Sequence, residues 1–120
     1  MAVTPPTIIG PVSSGRNPDP SGFITLTIPH TVPVGTEALV VIMGNGCVFE
    51  VEMPCTWNGV TVPVWQRPAS TTAERMQMYL LIQPTPGTAD IVIQSNTANG
   101  STLAADVFNI KDFAGVRVVE

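Results

Sequence analysis

A catalytic centre needs a positioned base, nucleophile or metal cluster, and this chain carries few residues that could build one. It holds one His, two Cys, five Lys and Arg and nine Asp and Glu in 120 residues. His30 stands between Pro29 and the Thr31-Val32-Pro33 run, where it is expected to be a turn residue bonding locally. A metal ion would need partner ligands that do not accompany it. Cys47 and Cys55 have no second pair and no nearby His to complete a zinc set. If they flank a hairpin, a disulfide is geometrically possible. Synthesis in a reducing cytoplasm favours two buried thiols instead.

Glu50 and Glu52 could share acid–base work, but on an alternating strand they read as a solvated face. Ser13-Ser14 and Ser70-Thr71-Thr72 lack a His–Asp partner set for nucleophilic catalysis. The chain therefore reads as non-enzymatic, with no catalytic residue, cofactor or metal expected. Trp57, Trp65 and Tyr79 could form an aromatic platform for sugars, with Trp57 beside an Asn-Gly turn the best placed. Core and hairpin packing is the preferred reading of the same three rings.

The elements that must position these residues are strands. Phe23–Ile28 alternates, and Glu37–Met43 is a near-continuous apolar run of the kind a central strand buries on both sides. Cys47–Met53 alternates again. Asn58-Gly59 is a strong hairpin signal, because both turn positions need positive φ. Val60–Trp65 follows, with Pro63 marking an edge or a bulge. Arg75–Gln83, Ala89–Ser95, Thr102–Ile110 and Val116–Val119 complete a series of about eight strands separated by Pro, Gly and Asn turns. With no convincing helix, the fold class is all-β: a single antiparallel sandwich.

Residues 1–21 form a separate compositional unit, rich in Pro and Gly, ahead of the sandwich domain at 22–120. Proline forbids helix and most ladder pairing there. The segment is either a disordered tail or an extended arm on a neighbouring subunit, with Ile8, Ile9 and Val12 as the residues worth burying.

A net charge of −4 and only 12% charged residues leave a weakly solvated surface, which suits a protein packed against neighbours. A surface of Thr, Ser, Asn and Gln is the other way to stay soluble with few charges. Arg16, Arg67, Arg75, Lys111 and Arg117 are scattered, so no nucleic-acid partner is expected. No apolar stretch approaches a membrane span, and residues 1–6 have no signal-peptide pattern.

Spaced fragments carry a family resemblance. They are Ile28-Pro29-His30-Thr31-Val32 with Gly35-Thr36 and Leu39-Val40-Val41, then Trp57-Asn58-Gly59-Val60, then Tyr79-Leu80 with Pro84 and Gly87 to Ile93, and finally Ala104 to Phe108. In this order they resemble a small immunoglobulin-like or jelly-roll β-sandwich family of bacteriophage virion structural proteins and bacterial multidomain surface proteins. The resemblance spans about three-quarters of the chain and is more specific for fold than for function. It implies a capsid decoration (cement) protein, made in the host cytoplasm and located in the virion. Such a protein would bind the major capsid protein lattice as a homo-oligomer, a trimer by the way capsid ornaments sit at lattice axes. A carbohydrate-binding module of a tail, fibre or surface protein is the alternative it leaves open.

Overall fold

The computed structural model describes residues 5–17, 25–45, 53–66, 75–94 and 103–112. Among them nine strands form two antiparallel sheets. The strands are β1 (Thr7–Asn17), β2 (Thr25–Val32), β3 (Ala38–Asn45), β4 (Cys55–Trp57), β5 (Val60–Thr61), β6 (Val64–Gln66), β7 (Arg75–Ile82), β8 (Gly87–Gln94) and β9 (Leu103–Lys111). One sheet has the order β1-β9-β3-β7-β6 and the other β2-β8-β4-β5. The all-β sandwich expected from the strand pattern is the fold observed.

Alternation decides which side chains meet between the sheets. Leu39, Val41 and Met43 of β3, Tyr79 of β7 and Leu103, Ala105 and Val107 of β9 point inward from one sheet. Leu26, Ile28 and Val32 of β2, Trp57 of β4 and Ile91 and Ile93 of β8 meet them from the other. Each large apolar side chain taken out of water here contributes about 1.5–3 kcal/mol. Cys55 is a free thiol in this core, and burial pushes its pKa up to about 12.

Asn58 and Gly59 have φ of 49° and 78°, as the hairpin signal requires, and set Trp57 opposite Val60. Val60–Trp65, expected as one strand, is two. The Val62 N–H donates to Cys55 O at 2.8 Å in one sheet, while Pro63 O accepts from Leu80 N–H at 2.9 Å in the other. Pro63 has no N–H to leave unpaired, so it suits the corner where the chain changes sheets.

Two further expectations differ from the structure. Pro29 to Gly35 was expected to be a connection, yet β2 runs through Pro29 and His30 to Val32. This is possible because β2 is an edge strand, whose outward N–H positions need no partner. The proline-rich start is not an arm held apart from the sandwich in its described part. Residues 7–17 are β1, paired antiparallel with β9 from Thr7↔Lys111 to Asn17↔Leu103. The pairing survives the proline because the register breaks between Ile9 and Ser13, placing Gly10 and Pro11 in a bulge. Gly10 has φ 67°, and a Cβ there would sit 2.8 Å from Pro33 Cγ. The strands expected at Cys47–Met53 (but for Met53) and Val116–Val119 lie outside the described residues, as do Cys47, Glu50, Glu52 and Ser70–Thr72.

Candidate functional site

Polar side chains gather at one place inside the sandwich. The Asn109 amide donates to Ile9 O at 3.2 Å, Pro11 O at 3.4 Å and Thr31 O at 3.2 Å. These bonds fix its orientation, so Asn109 Oδ1 must accept from His30 Nε2 at 2.9 Å. The remaining ring nitrogen, Nδ1, carries no proton and accepts from Ser13 Oγ at 2.7 Å. His30 also meets the Trp57 ring edge-on at 5.9 Å. Burial is the main cause lowering the His30 pKa, offset in part by the Asn109 bond, so the ring is held neutral.

His30 is thus a buried strand residue bonding to distant parts of the chain, not a locally bonded turn residue. Ser13, His30 and Asn109 form a hydroxyl–imidazole–amide series of the kind that activates a nucleophile. Every bond in it also has a structural use, because the series ties the β1 bulge and the end of β2 to β9. That use accounts for its geometry, and we assign it a stapling role. Alternation already placed Asn109 on the same face as Leu103 and Val107, a buried polar group in need of partners. Nothing local marked His30 or Ser13 as those partners.

Trp57, Trp65 and Tyr79 are not brought together as an exposed platform of the kind the sugar-binding alternative needs. Trp57 and Tyr79 are buried, and only Trp65 of the three is exposed, at 44%. Tyr79 Oη accepts from Gln77 Nε2 at 2.7 Å and donates to Met53 O at 2.8 Å, which satisfies the hydroxyl within the core. Among the described residues no group of three or more His, Cys, Asp or Glu could hold a metal ion. No helix of the described residues is long and apolar enough to cross a membrane.

The feature that does stand out is the outer face of the five-stranded sheet. Register and alternation place its side chains in transverse rows. The first row is Ile8, Ile110, Ala38 and Ile82, read from β1 across to β7. The second is Phe108, Val40 and Leu80. The third is Ser14, Asp106, Ile42 and Met78, and the fourth Arg16, Ala104, Gly44 and Met76. Ala38 and Val40 are buried, whereas Ile8, Met76 and Ile82 remain more than half exposed at 55%, 56% and 51%. Asp106 and Arg16 supply the charge in these rows, both toward the β1 edge, and Ser14 Oγ donates to Asp106 at 2.7 Å.

Of the residues expected to be buried against a neighbour, Ile8 lies on this face and is exposed, Val12 is exposed in the bulge, and Ile9 is half-buried. The comparisons with known proteins add no relative: no family model, curated protein or solved structure matches the chain.

Proposed function

We propose that this chain is a non-enzymatic structural subunit that works by docking the outer face of its five-stranded sheet against protein. The observation that carries the reading is the apolar outer face itself. An antiparallel sheet with one solvated face alternates apolar with polar residues. Here β7 places Met76, Met78, Leu80 and Ile82 outward, and β3 places Ala38, Val40 and Ile42 there. A charge-poor centre with its polar groups toward one edge is the anatomy of a protein interface. Large contiguous apolar surface on a small domain marks such a site.

The sequence resemblance gives the chain its setting: a bacteriophage virion component, a decoration protein that binds the major capsid protein lattice as a homo-oligomer whose subunits are joined through this face. Such a protein stabilises the head because it binds the assembled shell and not its free parts. The test is mass spectrometry of purified, salt-washed phage particles from the strain that encodes the chain. Recovery of its peptides in fixed ratio to the coat protein is the expected result. Peptides found in the lysate but missing from the particles would contradict it.

A further inference from the structure

We infer that a second copy of this chain occupies the outer face of the five-stranded sheet, packed sheet on sheet about a two-fold axis that lies in the interface and runs across the strands. The inference rests on the docking reading above and names the partner for that same face.

The size of the face supports a partner of its own kind. Four strands of about eight residues, ~4.8 Å apart and rising ~3.3 Å per residue, with the three-residue β6 beside them, cover about 550 Å² in projection. Side-chain relief enlarges that area, which brings it near the ~800 Å² per partner of a standard interface. A pair of matching faces therefore reaches the range of a specific dimer, toward its weaker end.

The relief of the face selects the axis. At one end stand the bulky Ile8, Ile110 and Ile82. At the other, Ala104 and Gly44 leave an open trough of about 530 Å³ edged by Arg16, Ile42 and Met76, with the hydrogen-bonded Ser14 and Asp106 along its β1 side. A two-fold axis across the strands exchanges the two ends. Ile110 of each copy then enters the hollow over Ala104 of the other, Ile82 meets Met76, and Ile8 lies along the aliphatic stem of Arg16. Because the contact is isologous, both troughs are filled at once. An axis along the strands would set trough over trough, leaving an unfilled space that packing disfavours.

The test is sedimentation velocity on the full chain from about 1 to about 200 µM, a range that brackets a micromolar dimer. A monomer–dimer equilibrium is expected, weakened at least tenfold by Ile82→Lys and untouched by Thr27→Lys on the opposite side of the molecule. In an equal mixture of Ile82→Cys and Met76→Cys chains, oxidation should join residue 82 of one copy to residue 76 of the other, as read by peptide mapping. A dimer that survives Ile82→Lys, or an Ile82→Cys chain that cross-links to itself at residue 82, overturns the proposal. A monomer throughout also overturns it, and binding of an apolar dye then separates the two ideas. Dye binding lost in Ile82→Lys would leave the docking reading standing with another partner, whereas no dye binding by the parent chain would remove both.

Discussion

The two outer faces of this sandwich are made by the same strand alternation and filled with opposite chemistry. On the four-stranded sheet, Thr25, Thr27, Pro29 and Thr31 of β2 lie opposite Gln94, Val92, Asp90 and Thr88 of β8. Thr31 and Thr88 share a hydroxyl hydrogen bond at 2.8 Å. On the five-stranded sheet the corresponding outward positions are Ile, Val, Leu, Met, Phe, Ala and Gly, apart from Ser14, Arg16 and Asp106 toward β1. A chain with so few charges keeps one face wet with hydroxyls and amides and leaves the other dry. The low charge is met by a polar uncharged surface on one side of the molecule and by an apolar one on the other. On the proposed reading, the dry face takes its next layer from another protein chain.

The largest effect comes from attacking the dry face from within. Asn109 holds the carbonyls of Ile9 and Pro11 and so keeps the Ile8 end of β1 against β9. Asn109→Ala strands the His30 Nε2–H and leaves those carbonyls unpaired, at a cost of about 3 kcal/mol in stability. Urea unfolding should show it, together with earlier amide exchange in residues 7–10. An unchanged midpoint would mean that the staple does not hold the edge of the face.

Next in size is the contrast between the faces themselves. Ile82→Lys should weaken self-association at least tenfold, while Thr27→Lys leaves it unchanged. Both positions are exposed, so each variant should stay within about 0.5 kcal/mol of the parent stability. Equal effects of the two lysines on association would erase the distinction between wet and dry.

The staple also makes the fold sensitive to pH in a direction that can be worked out. The folded chain holds His30 below its ordinary value of 6.5, so the unfolded chain takes up the proton first. This contribution to stability is complete above pH 6.5 and is lost as pH falls through 6.5 toward the lower folded value. Thermal melts should therefore fall more steeply from pH 7 to pH 5 in the parent than in His30→Gln. The smallest effect belongs to the hairpin tip, remote from the rows that make the dry face. Gly59→Ala forces a side chain into φ 78° and should cost about 1 kcal/mol, with no change in association.

The strands were legible because alternation and turn chemistry are local. Asn58-Gly59 fixed its own hairpin, and the unbroken run of β3 announced a strand buried on both sides, which it is from Ala38 to Val41. Pro29 misled because a proline reads as a break, and only the sheet order reveals that β2 is an edge that accepts one. The same lack of long-range information hid the staple, whose bonds join residues as many as 100 positions apart. The dry face was half visible. The β7 run carries apolar residues on both alternating sets, Met76/Met78/Leu80/Ile82 and Tyr79/Leu81, so one set had to face away from the core. Which set did so depended on Gln77 and Tyr79 finding each other and Met53 inside.

The central claim is that the outer face of the five-stranded sheet is an interface and the opposite face is not. Hydroxyl-radical footprinting of the full chain at low and high concentration tests it most directly, because it reads side chains and distinguishes the faces. Met76, Met78 and Ile82 should be oxidised at low concentration and protected at high concentration, with Pro29 and Val92 unchanged. Oxidation of Met76 and Ile82 that is independent of concentration, or protection that appears equally at Pro29 and Val92, would contradict the account.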